Sequence, residues 1–336
     1  MNRVLKSASG VMLGILIVGF LLPARARVER EITIDAHRAT VFTLLNDFRQ
    51  IDRFAPIVEG DPNARLAFSG APAGVGATAK WSGRIIGDGV EAITESEPFS
   101  RIVTRIEYGN GRQAGNRIVL SSDNGQTGVV QVYERDYGMN LAGRYFALFL
   151  DGIVGPEIER DLERLASFAE QLPRADFSDL EVERLMVEAA DIAYLPTRSR
   201  PDSVAISEAM GESFFDILDF IDRHDLAEAG APMSITRTFS GSDLVFDAAI
   251  PVRGITASTS VNSETVKIGQ TYAGMVIRVR HVGGYAGLGR THDKIAAYLA
   301  ARGLERNGDA WESYISDPGR TDESGLLTYV YYPVRN

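Results

Sequence analysis

The chain has 336 residues, 45% of them hydrophobic and 24% charged, and a net charge of −10 at pH 7. That composition excludes a disordered chain, and the length is enough for two cores of about 150 residues each. The acidic balance opposes a nucleic-acid partner, which needs clustered Lys and Arg, and the absence of cysteine excludes disulfides, thiolate nucleophiles and Cys-type zinc sites.

The N-terminus opens on two cations in "MNRVLK", followed by residues 7–24 without a single charge. Eighteen residues at about 1.5 Å each reach about 27 Å, close to the hydrocarbon thickness of a bilayer. The pattern predicts a membrane segment within residues 1–26, either an uncleaved anchor or a signal peptide cut near "ARA" at 24–26. Arg25, Arg27 and Arg30 follow at once, so loop charge does not settle the orientation. The expectation is an export-directed anchor that holds the protein on the periplasmic side of a bacterial inner membrane.

From residue 27 the order is strand, helix, several strands, long helix. In "VEREITIDA" Val28, Arg30, Ile32 and Ile34 alternate with Glu29, Glu31, Thr33 and Asp35, the period of a half-buried strand. "RATVFTLLNDF" places Val41, Leu44, Leu45 and Phe48 on one helical stripe. Short β-like runs then alternate with turns such as "GNGRQAGN" and "SDNGQTG", which favour hairpins because Gly and Asn accept positive φ cheaply. "GPEIERDLERLASFAEQL" carries Ile158, Leu162, Leu165, Phe168 and Leu172 at helical spacing, and the only large apolar partner for that stripe is the preceding sheet.

These elements, with "GVGATAKWSG", "ITESEPFSRIV" and "RYFALFLDGIVGPEIERDLERLASFAE", resemble the SRPBCC superfamily, the START-like helix-grip fold, in its polyketide-cyclase/dehydrase-like branch. The resemblance spans residues 27–172 and implies a hydrophobic cavity between sheet and helix. Relatives often carry proline after the first strand, where this chain has His37 and Arg38. Trp81, beside the "KWSGR" turn, is the candidate pocket residue here, weighed against a place in the core.

A polar linker, 173–180, leads to a repeat. "SDLVFDAAIPVRG" and "SGLLTYVYYPVRN" align at an offset of 82, and "GESFFDILDFIDRHDL" aligns with "GRTHDKIAAYLAARGL" at an offset of 78. The second alignment pairs Ile217 with Ile295, Phe220 with Tyr298 and Ile221 with Leu299 on one helical face. Two copies of one α/β unit are expected at about 181–254 and 264–336, docked about a pseudo-twofold axis with a cleft between them. The fold class expected for the whole chain is therefore α+β, a helix-grip domain followed by a duplicated α/β domain.

"RHVGGY", "WESYISDP" and "YVYYPV" make residues 181–336 resemble the GyrI-like fold, the AraC-type effector-binding domain. The resemblance implies binding of lipophilic, often cationic ligands, and hydrolysis in some members. Family members often place a carboxylate four residues before the last proline; Tyr329 stands there, and Asp247 stands at the equivalent place in the first copy.

Asp247 and Tyr329, at matched strand positions, are expected on one side of the sheet as a ligand-binding pair. Tyr285, Trp311 and Glu312 come from the matched motifs as aromatic walls and an acid, and Glu312 is the one candidate for acid–base work. His281 and His292 fall on different elements, no HExxH occurs, and "GGYAGLG" lacks the lysine of a phosphate loop, so neither a metal nor a cofactor is expected. The reading is a membrane-tethered protein that binds small lipophilic molecules. The alternatives are a cyclase or dehydratase in the first domain, a hydrolase in the second, or an interaction module with a closed cleft.

Overall fold

The computed structural model describes residue 14 and residues 16–239, 243–256 and 265–335. It is a mixed α+β chain with two antiparallel sheets, and it divides into two compact units, Met1–Ser178 and Asp179–Asn336.

Of the apolar segment 7–24, residues 7–13 and 15 lie outside the described residues. Leu16–Leu21 are helical, and the Arg144 Nη1 donates to the carbonyls of Phe20 and Leu22 at 3.0 Å each, closing the end of that turn. Among the described residues no helix is long and apolar enough to cross a membrane.

The first unit starts with β1 (Arg25–Ile34), whose Val28 and Ile34 turn inward as their period predicts. Then come α1 (Arg38–Leu45) and α2 (Phe48–Phe54). His37 proves to be the cap of α1, its Nδ1 accepting from the Ala39 N–H at 3.2 Å, so it does the turn's work without a proline ring. Six strands follow: β2 (Arg65–Gly70), β3 (Ala77–Gly83), β4 (Gly87–Glu97), β5 (Arg101–Tyr108), β6 (Gln113–Asp123) and β7 (Gln126–Asp136). They form an antiparallel meander, and β1 closes it by pairing with β7, giving the order β1-β7-β6-β5-β4-β3-β2.

After the short α3 (Leu141–Ala147), α4 (Leu150–Ala169) lays Ile158, Leu162 and Leu165 into one core with Val28, Ile34, Ile93, Ile102 and Ile118 of the sheet. The helix begins five residues before the "GPEIE" word. Pro156 lies inside it, where the ring forfeits only its own N–H bond, back to Gly152.

The second unit reads β8 (Val182–Val187), β9 (Asp191–Ser199), α5 (Ser203–Arg223), β10 (Ala227–Glu228), β11 (Met233–Phe239) and β12 (Leu244–Arg253). It continues with β13 (Lys267–Gln270), β14 (Gly274–Val282), a 3-10 turn at Tyr285–Gly287, α6 (Leu288–Arg302), β15 (Glu305–Arg306), β16 (Trp311–Tyr314) and β17 (Leu327–Arg335). The sheet order is β13-β9-β12-β11-β16-β17-β14-β8, with β10 on β12 and β15 on β17. Read from either edge, the same kinds of strand follow one another.

Local bonds repeat with the order. The Ala229 N–H donates to Pro251 O and the Asn307 N–H to Pro333 O; at the centre, Thr236 N–H donates to Ala310 O and Tyr314 N–H to Pro232 O.

Alternation along each strand sorts the side chains into two layers. Phe246, Ala248 and Ile250 pack with Ile217, Phe220 and Ile221 of α5, and Val330, Tyr332 and Val334 pack with Ile295 and Leu299 of α6. The other face buries Met233, Ile235, Ala249, Val276 and Trp311, with Tyr272 and Tyr331 against them.

Candidate functional site

The central strand β16 is short, and each of its residues faces opposite to the next. Its register pairs Glu312 with Val330 and Ser234, which puts the carboxylate on the helix-bearing face. There it is 16% exposed and doubly bonded: Glu312 Oε1 lies 2.7 Å from His292 Nε2 on α6, and Oε2 accepts from the Tyr314 hydroxyl at 2.6 Å. The other ring nitrogen of His292 lies 2.8 Å from the Tyr332 hydroxyl.

A carboxylate only accepts, so Glu312 takes Nε2–H from His292 and O–H from Tyr314, and the His292 Nδ1 shares a hydrogen bond with the Tyr332 hydroxyl. Burial, with Glu312 adding to it, pushes the Tyr314 phenol well above its ordinary value, and burial raises Tyr332 too, so both remain donors near neutrality.

Aromatic rings complete the site. Tyr285 meets Tyr314 edge-on at 5.4 Å between centroids, and Phe214 of α5 meets the same ring at 6.4 Å. Tyr285 is 39% exposed, so the aromatic group around Tyr314 reaches the surface. A carboxylate largely out of water with aromatic rings nearby favours a cation with apolar substituents.

The site is one-sided. At the matched offsets, Ser234 stands for Glu312, Phe214 for His292, Thr236 for Tyr314 and Ile250 for Tyr332. None of those four residues is charged, so the charge of the site comes from Glu312 alone, and Ser234 hydrogen-bonds Tyr314.

The structure brings together Glu312 and Tyr285 and separates them from the other candidates. Trp311 points to the opposite face, stacked on Tyr331 at 4.8 Å. Asp247 and Tyr329 do share a face, but it is that same opposite one. Asp247, 5% exposed, is ion-paired to Arg237 at 2.6 Å, and Arg237 also holds Asp309 at 2.6 Å. Tyr329 lies under the Arg278 guanidinium at 4.7 Å. Neither group meets Glu312, because successive residues of a strand alternate sides.

In the first unit Trp81 is 8% exposed and packs so closely on Gly89 that a Cβ there would lie 2.2 Å from the indole. It serves the core. The concave face carries instead a polar row that sequence reasoning missed: Glu91 accepts from the Thr104 hydroxyl at 2.5 Å and from the Asn116 amide at 3.2 Å. Burial raises the Glu91 carboxyl above its ordinary value. Among the described residues no cluster of three or more His, Asp or Glu could hold a metal ion.

Residues 25–170 match the family model described as polyketide cyclase / dehydrase and lipid transport, and residues 236–335 match that of the GyrI-like small molecule binding domain. The chain thus joins an SRPBCC-like region to a GyrI-like one. The second match runs from within β11 to the end of β17 and leaves out β8, β9 and α5. No curated protein matches.

Among solved structures, the C-terminal domain of EcmrR is 12% identical, covers 47% of this chain and 99% of its own, and has a TM-score of 0.39. A hydrolase from Listeria innocua is 14% identical, with 46% and 91% covered and a TM-score of 0.34. The Aha1 dimer from Colwellia psychrerythraea is 13% identical, with 43% and 96% covered and a TM-score of 0.32. None of these bears on ligand or activity. EcmrR is also solved with DNA, so the expectation that nucleic acid is no partner rests on this chain's own charge.

Proposed function

We propose that the protein captures small lipophilic cations at Glu312, between the two halves of its GyrI-like domain. The observation that carries this reading is the largely buried Glu312 carboxylate, held by His292 and by Tyr314, whose ring meets Tyr285 and Phe214. The domain is a duplication, 181–254 and 264–336, with pseudo-twofold symmetry; the mirrored strand order and the repeated hydrogen bonds support it. The leader 7–24 tethers the protein to a membrane on its extracytoplasmic side, a reading that rests on its apolar length alone. Residues 27–172 form the helix-grip domain and 173–180 the linker.

Calorimetric titration of the full chain with tetraphenylphosphonium and its anionic isostere tetraphenylborate tests the site. Glu312→Gln removes the charge and keeps the shape. Losing one charge-assisted contact costs about 1.5–3 kcal/mol, so the cation should bind about 10- to 150-fold more weakly to the variant. Tetraphenylphosphonium affinity unchanged in Glu312→Gln would remove Glu312 from the site.

A second reading is favoured by the His292 bridge. Glu312, backed by a histidine and a phenol, has the arrangement of a general base for hydrolysis. Turnover of aryl esters that Glu312→Gln abolishes while tetraphenylphosphonium affinity persists would promote it.

A further inference from the structure

The first unit holds a cavity of about 560 Å³ where the β5–β6 hairpin faces the end of β7 and α3. Its walls include Arg112, Gln113, Arg135, Tyr137, Asn140 and Phe146. This lies within the range of about 300–1,000 Å³ usual for small-molecule sites. It is far in sequence from Glu312, and its chemistry is of the opposite sign.

Arg135 has the parity of Val129, Gln131 and Tyr133, so it lies on the concave face of β7. Its guanidinium stacks on Tyr108 at 5.5 Å and on Tyr137 at 5.3 Å. The hairpin fixes Arg112 beside it: the Asn110 side chain accepts from the Arg112 N–H at 3.1 Å, and the Tyr108 N–H donates to the Arg112 carbonyl at 2.9 Å. Among the described residues, neither arginine has a carboxylate within 4.0 Å.

The one acid on the wall is already engaged. Asp136 accepts from Arg25 at 3.1 Å and from the Gly138 N–H at 2.8 Å. A guanidinium has five N–H donors, so one that lies by two tyrosine rings with no carboxylate partner can donate twice to a planar or tetrahedral anion.

One wall leads to apolar surface. Phe146 lines the cavity, and beyond it Leu148, Phe149 and Ile153 are 60%, 67% and 53% exposed. The helical turn Leu16–Leu21 lies against α3, with Gly19 beside Tyr145 and Leu141. Among the described residues of this unit, ten of the thirteen exposed large hydrophobic ones fall in 16–21 and 139–153, which gathers apolar surface toward the cavity's α3 wall.

We propose that this cavity takes an anionic amphiphile: Arg135 and Arg112 receive a carboxylate or phosphate head, and Phe146 with the apolar corner takes the chain. Calorimetry on the full-length protein with decyl phosphate, decanoate, decyltrimethylammonium and inorganic phosphate tests it. Decyl phosphate and decanoate are expected to bind; the ammonium, titrated into Glu312→Gln so that the cation site does not contribute, at least tenfold more weakly; and inorganic phosphate at least tenfold more weakly than decyl phosphate.

Arg135→Gln is expected to weaken decyl phosphate at least tenfold, Arg135→Lys less, and the pair Arg135→Gln/Arg112→Gln to abolish it. Glu312→Gln should leave it unchanged, which separates this site from the cation site. An unchanged melting temperature for Arg135→Lys shows that the unit still folds. The proposal is overturned if the ammonium binds Glu312→Gln as well as the phosphate does, if both arginines can be removed without loss, or if no anionic amphiphile binds. Inorganic phosphate binding as tightly as decyl phosphate would overturn the amphiphile assignment.

Discussion

Ile217 on α5 and Ile295 on α6 are both 0% exposed and occupy matched positions in separate hydrophobic clusters. Replacing either with alanine deletes three methyl or methylene groups, a transfer loss of about 2.4 kcal/mol. The void left behind brings the cost to about 3–4 kcal/mol. For a unit of this size that lowers the melting temperature by about 6–16 °C.

The chain has two tryptophans, Trp81 and Trp311, one in each unit, so Trp81→Phe leaves Trp311 fluorescence as the sole report on the second unit. Urea titrations in that background should give similar losses for Ile217→Ala and Ile295→Ala. Their double variant should show a sum within about 0.5 kcal/mol, because the two clusters share no partner. A loss below 1 kcal/mol for one and above 3 for the other would contradict the matched-halves account, and so would strong coupling.

Two further outcomes follow from buried acids. Glu91 is raised in the folded state, so the native chain holds its proton longer than the unfolded one does; stability is full below the ordinary glutamate value and falls as pH climbs through the folded one. Glu91→Gln should flatten that decline, giving a first unit more stable than its parent at pH 8 and equal to it near pH 4 in urea titrations followed by Trp81 in a Trp311→Phe background. Asp247→Asn should destabilise the second unit by about 1–3 kcal/mol, since Arg237 keeps Asp309 but loses its buried partner. Tetraphenylphosphonium affinity should not change; a tenfold loss would move the cation site to the opposite face.

Much of the fold could be read from periodicity. The alternation of Val28, Ile32 and Ile34 marks β1, and the stripe Ile158, Leu162, Leu165 marks the helix that packs on the sheet, because burial on one face leaves a period in the sequence. The start of α4 was hidden by Pro156, a residue that stops helices more often than it lies within one.

The site was legible only in part. "WESY" pointed to Glu312, but treating Trp311 as its neighbour ignored that adjacent strand residues face apart. His292 carried no local signal, for its role arises only when α6 packs over β16. Its partner position in the repeat, Phe214, offered a hint: a polar residue where the sister helix is aromatic. Arg237, which neutralises Asp247, sits where the β11–β12 register shifts between Thr236 and Thr238, so regular alternation could not place it.

The most direct test of the cation site is photo-crosslinking of the full chain with a benzophenone-bearing quaternary ammonium, followed by peptide mapping. Labels competed away by tetraphenylphosphonium should fall on the segments carrying Phe214, Tyr285 and Tyr314. Competed labels confined to the face of Asp247, Trp311 and Tyr329 would contradict the account.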